Sequence, residues 1–292
     1  MRLFDLHCDT LTKCMKEGTG LACAPGHVSL KKGVAAFERW AQVFAAFVPD
    51  TLHGPAAWAY FCRCAAFYQA QLPQIARVCT PFFALENANA LAGDLRRLEA
   101  REARQLKLIT LTWNGENELG YGAACDPRLG LKPFGKEAVE RMFLLGMVPD
   151  VSHLNRAGFW EVLDLAARCG KPVVASHSNC AAVHPHRRNL DDEQLQAIFS
   201  LQSLVGLNFC TEFLGGTRDA NAVAAHCKHL LQLGGAAHIA LGTDFDGCHV
   251  HPAMAGLETL PALNRALAEQ GLAPQTRDHL FWGNAARFFG VQ

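Results

Sequence analysis

The chain has 292 residues, half of them hydrophobic, with 27 Lys and Arg balanced by 27 Asp and Glu. That length carries enough apolar surface for a sizeable core, and the even charge balance argues against nucleic acid or an anionic membrane as partner. Asp5, His7 and Asp9 break up the N-terminal apolar run and stretches such as 43–48 are short, so neither a secretory signal nor a membrane span is expected.

Strand-like apolar runs alternate with longer helical stretches, the pattern of a β/α protein with a parallel sheet. The first strand, 3–10, contains His7-x-Asp9. Alternation along a strand points His7 and Asp9 one way and Cys8 the other. An imidazole beside a carboxylate at a strand's C-terminal end is half of a site for a borderline cation such as zinc. A polar loop with Gly18, Gly20 and Pro25-Gly26 follows, then a second strand over 42–48, stopped by Pro49. Pro55 opens a helix reaching about Arg77, whose Trp58, Phe61, Cys62 and Ala65 recur at helical spacing and read as core. The third strand, 79–85, ends in Glu86 and leads to a helix with Leu91, Leu95 and Leu98 on one face. The fourth, 106–111, runs through Trp113 into a loop marked by Gly115, Gly120 and Gly122, and a helix covers about 136–145.

The sequence then echoes itself. Gly146 begins Gly-Met-Val-Pro-Asp-Val-Ser-His153-Leu-Asn155, and Gly170 begins Gly-Lys-Pro-Val-Val-Ala-Ser-His177-Ser-Asn179. In each, a glycine closes a helix, a short buried strand follows, and a histidine stands at its end. Phe159, Val162, Leu163 and Ala166 form the buried stripe of the helix between them. A loop with His184, His186, Arg187 and Arg188 precedes a helix capped by Asp191 or Asp192. The seventh strand is 203–209; after a helix over about 220–233 the eighth begins at His238 and runs into Asp244-Phe245-Asp246-Gly247, with two more helical segments to the end. Eight strands with intervening helices predict a (β/α)8 TIM barrel, α/β in class, as one domain over 1–292. An open doubly wound sheet would call for a glycine-rich phosphate turn after an early strand, and none is present. The twelve cysteines, with no Cys-x-x-Cys pair, are expected to be reduced and mostly buried, in a cytoplasmic protein.

In such a barrel His7, Asp9, Glu86, His153, His177 and Asp244 all converge on the C-terminal mouth. Three imidazoles and three carboxylates exceed the needs of one zinc ion and suit a pair of divalent ions with a bridging carboxylate. His226 and His229 read as a polar helix face without a nearby carboxylate, His249 and His251 as loop residues without chemistry, and His184 and His186 as candidates to shape the site.

These motifs, with Ser152-His153, Ser176-His177-Ser178, Arg187-Arg188-Asn189 followed by Asp191-Asp192, Asn208-Phe209 and Gly242-Thr243-Asp244-Phe245-Asp246-Gly247, resemble the membrane (renal-type) dipeptidase family of zinc metallopeptidases over nearly the whole length. The resemblance implies a (β/α)8 barrel with two Zn2+ ions: His7 and Asp9 on one, His153 and His177 on the other, Glu86 bridging. It implies Asp244 as the catalytic acid/base and Arg188 as the clamp on the substrate's C-terminal carboxylate, which selects dipeptides. The absence of a signal and lipid-anchor tail makes the chain similar to the soluble bacterial members. Two positions depart from the vertebrate pattern: Trp113 stands where a substrate-contacting histidine is found, and Phe213 where a tyrosine helps hold the carboxylate. Trp113 can line the substrate pocket but cannot titrate. Both departures leave open another zinc-dependent amide or lactam hydrolase, or a non-catalytic metal- and carboxylate-binding relative. Oligomeric state, with a homodimer among the options, is not fixed by the sequence.

Overall fold

Eight parallel strands, each paired with its sequence neighbour, close on themselves in the computed structural model, which describes residues 1–292. They are β1 (Arg2–Cys8), β2 (Arg39–Phe47), β3 (Thr80–Glu86), β4 (Leu106–Thr110), β5 (Val148–Asp150), β6 (Val174–Ala175), β7 (Leu204–Leu207) and β8 (Ile239–Leu241). Closure is made where Asp5 of β1 lies opposite Leu241 of β8. Every strand lies within two or three residues of its expected position, and helices alternate with them as a (β/α)8 barrel requires.

Alternate residues of the strands fill the barrel. Phe4, Leu6, Val43, Ala45, Ala84, Leu108, Val148, Val174, Leu204 and Ala240 form one inner apolar cluster with Trp282, Ala285 and Ala286. The last three come from the C-terminal helices, which plug the end where strands begin; Asn284 donates to the carbonyls of Ala236 and Ile239 there. A much larger cluster fills the space between strands and helices. The plug leaves one open end, at the strand C-termini, and all the chemistry lies there.

A β-bulge sets the first of these residues. Asp5 pairs with Gln42 but Cys8 pairs with Phe44, so three steps along β1 match two along β2. Without the extra residue His7 would share the face of Leu3 and Asp5. The bulge turns both Leu6 and His7 inward.

Two local expectations are corrected and one alternative is resolved. The loop after β1 contains a helix, Thr10–Glu17, ended by Gly18 at φ 66°, and a second, Leu30–Ala36. The helix expected after β3 is instead two short 3-10 turns, Ala88–Leu91 and Leu95–Glu99, because the chain turns left-handed at Ala92 and Gly93 between them (φ 46° and 72°). The cap of the helix Asp192–Ser200 is Asp191, in a capping box with Gln194. Seven of the twelve cysteines are buried and all are free thiols. No helix is long and apolar enough to cross a membrane.

Candidate metal centre

The six residues expected at the mouth do meet, at the open end of the barrel. Glu86 ends β3 and lies at their centre: its Oε2 is 3.4 Å from His7 Nε2, and its Oε1 is 3.1 Å from His153 Nε2 and 4.0 Å from His177 Nε2. Asp9, just past β1 at the start of the first helix, places Oδ2 3.4 Å from His7 Nε2. Two overlapping sets, His7–Glu86–His177 and His7–Asp9–Asp244, each bring their ligand atoms within 4.8 Å of one another. The backbone is bent to do this. His153 and Asp244 both adopt left-handed φ, 70° and 59°, a conformation that costs a residue with a Cβ about 1–3 kcal/mol and gathers at functional sites. Gly247 is required beside them, since a Cβ there would overlap the carboxylate oxygens of Asp9 and Asp244.

Protonation states tell what is missing from this cluster. Burial, followed by the charges of neighbouring Arg188 and histidines, holds His153 and His177 well below the usual histidine range, so both are neutral. His153 Nδ1 faces the carbonyl oxygen of the Asn114 side chain at 3.1 Å and donates to it. His177 Nδ1 donates to the Ser176 hydroxyl, whose own proton goes to Asp150. Each ring thus carries its single proton on Nδ1, and the bare Nε2 lone pairs face each other at 2.8 Å. Lone pairs so placed repel unless a cation lies between or beside them. His7 Nε2, Asp9 Oδ1 and Glu86 Oε2 are buried with no hydrogen-bond partner at all. Such orphaned groups are costly and rare, and a divalent ion satisfies all of them together. The donor set, imidazole plus carboxylate, suits zinc or a neighbouring transition metal. Burial and the Asp9 charge push Glu86 above the usual carboxylate range, and His7, which burial alone would lower, is raised by Glu86 and Asp9.

Around this cluster is a cavity of about 570 Å³, lined among others by Phe47, Trp113, Asn114, Cys210, Phe213 and Cys248. Asp244 enters it from the loop after β8. Its Oδ2 accepts from Asn208 Nδ2 at 3.0 Å, and burial pushes its carboxyl above the ordinary range. Arg188 comes from the loop after β6 and is 5% exposed. Its guanidinium stands 5.4 Å over the Phe213 ring, Nη2 reaches only the His177 carbonyl at 3.4 Å, and Nε has no partner. Burial lowers its affinity for its proton, against the pull of Asp244 and Glu86. Trp113 is edge-on to Phe47 at 5.2 Å and lies 6.3 Å from the His153 ring. Phe47 was not singled out in the sequence, although it shares the inward face of Val43 and Ala45 on β2 and was open to discovery by alternation. Asn114 and Asp150, the groups behind His153 and His177, carried no signal of their own.

Five of the six other histidines singled out in the sequence make structural contacts, two of them differently from expectation. His226 is fully buried rather than on a polar face; Nδ1 accepts from Cys180 N and Nε2 donates to the Leu214 carbonyl. His229 has a carboxylate beside it after all, Asp192 at 2.7 Å, from the helix Asp192–Ser200. His186 lies tilted against Phe213 at 4.7 Å and accepts from Arg188 N, and His184 bonds the Glu212 carbonyl, so both shape the Arg188 loop. His251 Nδ1 accepts from Ala253 N, while His249 borders the cavity.

Comparison with known proteins agrees with this geometry. A crystal structure of a metallopeptidase from Rhodobacter sphaeroides, liganded with a phosphinate mimic of the dipeptide L-Ala-D-Ala, superposes with a TM-score of 0.88 at 26% identity, covering 100% of this chain and 98% of that one. A second crystal structure, described as the dipeptidase AC, a metallopeptidase of family M19, gives 0.83 at 28% identity over 100% of this chain and 97% of that one. A Klebsiella pneumoniae protein known as an uncharacterized protein in the pqqA 5' region is 34% identical over 215 residues, 70% of this chain and 78% of that protein. The family model for membrane dipeptidase, peptidase family M19, matches residues 73–291. On that match, which runs from before the strand bearing Glu86 to the C-terminal plug, the chain belongs to the membrane dipeptidase family and is a metallopeptidase.

Proposed function

We propose that this protein is a binuclear zinc dipeptidase that hydrolyses dipeptides with a free C-terminal carboxylate, including those with a D-residue in the C-terminal position. The observation that carries the proposal is a coincidence in one cavity: buried imidazole and carboxylate atoms with no hydrogen-bond partner, arranged as a cation would need them, and beside them a buried guanidinium whose Nε is unpaired. His7 and Asp9 would hold one ion, His153 and His177 the other, and Glu86 would reach both. When bound, divalent ions supply a water acidified to near neutral pH and a Lewis acid for the scissile carbonyl.

The protein's own groups do the rest. Asp244 takes a proton from the attacking water and returns it to the leaving amine. Asn208 occupies Asp244 Oδ2 and leaves Oδ1 for that exchange. Burial keeps the carboxyl able to hold a proton at higher pH than an exposed aspartate, as an acid/base needs. Arg188 pairs with the substrate carboxylate, and Phe213 beneath it fixes the plane of the guanidinium. Only a dipeptide sets its carboxylate one residue from the scissile bond. Trp113 and Phe47 form an aromatic wall of the cavity, where the N-terminal residue of the substrate would lie. The dipeptide mimic held by the Rhodobacter sphaeroides metallopeptidase, with D-Ala at its C-terminal position, supports the substrate class.

Metal analysis of the purified protein followed by a panel of L,L- and L,D-dipeptides, each with and without a C-terminal amide, tests this reading. Two zinc ions per chain, cleavage of the free acids and loss of turnover on amidation are expected. Asp244→Asn should retain zinc and substrate binding while losing about 10²–10⁴-fold in kcat. Trp113 and Phe213 favour a second reading, an amide or lactam hydrolase on the same barrel; cleavage of amidated or cyclic substrates in preference to dipeptides would establish it.

A further inference from the structure

Behind His177 a carboxylate and a hydroxyl form a line that no step above uses. We propose that Asp150 and Ser176 are positioning residues, which fix the single proton of His177 on Nδ1 and so keep its Nε2 lone pair open toward the cation site. The proposal rests on the zinc reading of the site and adds a residue pair that this reading does not contain.

The argument is a count of donors. Asp150 is 1% exposed and Ser176 fully buried. Asp150 Oδ1 accepts from the backbone N–H groups of Ser152 and Ser176, each at 3.0 Å. Asp150 Oδ2 accepts from Thr110 Oγ1 at 2.8 Å and from Ser176 Oγ. Every group around this carboxylate is a donor. A serine hydroxyl has one proton, and that of Ser176 is committed to Asp150. Ser176 Oγ can then only accept from His177 Nδ1, 2.7 Å away. The chain of bonds therefore runs one way, from imidazole through hydroxyl to carboxylate, and admits one tautomer. It is a carboxylate–histidine arrangement with a serine hydroxyl inserted, and such partners orient ligands and raise their basicity.

The backbone around the line is held as firmly. His177 N donates to Ser152 Oγ at 3.1 Å. Gly206 of β7 and Gly242 after β8 press against the Ser176 carbonyl, which a Cβ on either would overlap. Val148 and Asp150 share the inward face of β5, so the carboxylate stands directly above the inner apolar cluster and away from water. Thr110, opposite Asp150 on β4, supplies the remaining bond. Four successive strands, β4 to β7, are thus shaped around one ring.

The isosteric change Asp150→Asn is the discriminating test. The two backbone N–H groups require an oxygen at the Oδ1 position, so the new amide NH2 must face Ser176 and Thr110. It then donates to Ser176 Oγ, and the hydroxyl proton, with Asp150's acceptor gone, is free to turn to His177 Nδ1; that favours the ring tautomer with its proton on Nε2, where it blocks the ligand atom. Ser176→Ala removes the acceptor and leaves the tautomer free, with no steric demand. The full-length chain, ¹⁵N-labelled in histidine, is compared by NMR after metal removal, and zinc affinity is measured by competition with a chromophoric chelator. In wild type one imidazole shows the Nδ1–H pattern of His177, identified by its loss in His177→Gln. It should switch to Nε2–H in Asp150→Asn and become mixed in Ser176→Ala, and zinc should bind 10–100-fold more weakly at one of the two sites in both variants. A folded Asp150→Asn or Ser176→Ala protein that keeps the Nδ1–H pattern and a zinc affinity within twofold of wild type overturns the proposal. If wild type takes up no divalent ion, the zinc reading fails by itself, and an unchanged tautomer then removes this inference separately.

Discussion

Arg188→Met asks the site to trade function for stability. In the folded protein the Arg188 guanidinium is 5% exposed, makes one long hydrogen bond to the His177 carbonyl and leaves Nε unpaired. A buried charge without a partner is destabilising, and replacing it by an apolar side chain of similar volume is expected to stabilise by about 1–4 kcal/mol. Methionine keeps the packing over Phe213 and removes the charge. At roughly 2 °C per kcal/mol for a chain of this size, the melting temperature should rise by about 2–8 °C. The substrate carboxylate, in contrast, loses its partner inside a desolvated cavity. That costs about 3–5 kcal/mol, which at 1.4 kcal/mol per factor of ten lowers kcat/KM roughly 10²–10³·⁵-fold. The assay is amino-acid release from a dipeptide and from its C-terminal amide, with thermal unfolding of the zinc-loaded proteins in parallel. The acid should lose nearly all its advantage over the amide in the variant. A variant that melts lower than wild type, or that still prefers the acid by the original ratio, would refute the assignment of Arg188 as an anion trap.

Chelation should destabilise the protein: at zinc a thousandfold above Kd each bound ion contributes about 4 kcal/mol, so loss of each should lower the melting temperature by roughly 8 °C, and restored zinc should return it. Because Glu86 and His7 are both pushed up, protons compete with the cation for them, so zinc affinity should strengthen as pH rises from 6 to 8, with protons released on binding; equal affinity at both ends of that range would contradict it. Asp5, fully buried between Gln42 and Thr243, is raised by burial to about 6 despite its hydrogen bonds. A folded-state value above the unfolded one gives a contribution fully present below pH 4 and lost as pH rises through 6, about 3 kcal/mol across that window. Urea unfolding of metal-free wild type and Asp5→Asn should show this difference in pH dependence, and parallel curves would exclude it. Trp113→Ala and Phe47→Ala should lower kcat/KM by roughly 10–100-fold for dipeptides with a bulky N-terminal side chain and leave those with N-terminal alanine nearly unchanged; uniform losses across the panel would place the wall elsewhere.

The amino-acid order by itself determined the barrel and marked the six polar residues that gather at its mouth. Burial on both faces of a parallel strand leaves an apolar run that polar residues interrupt only where it ends, so Glu86, His153, His177 and Asp244 stand out in one dimension. The repeated Gly-to-His spacing marks two strand–helix units for the same reason. Tertiary structure decided the rest, since the deciding partners are far apart in the chain. The inward turn of His7 comes from a bulge measured against β2, which no pattern in β1 announces. Whether Arg188 is a surface charge or a buried one depends on how its loop folds over Phe213. Asn114 and Asp150 look like ordinary polar residues in the sequence and acquire a role only when an imidazole nitrogen from another strand is set against them. His226 and His229 failed to read correctly for the same reason, because Cys180 N and Asp192 reach them from separate elements. Periodicity records which face of an element is wet or dry; it holds no information about which polar groups will share a dry space, and that pairing sets every proton in this site.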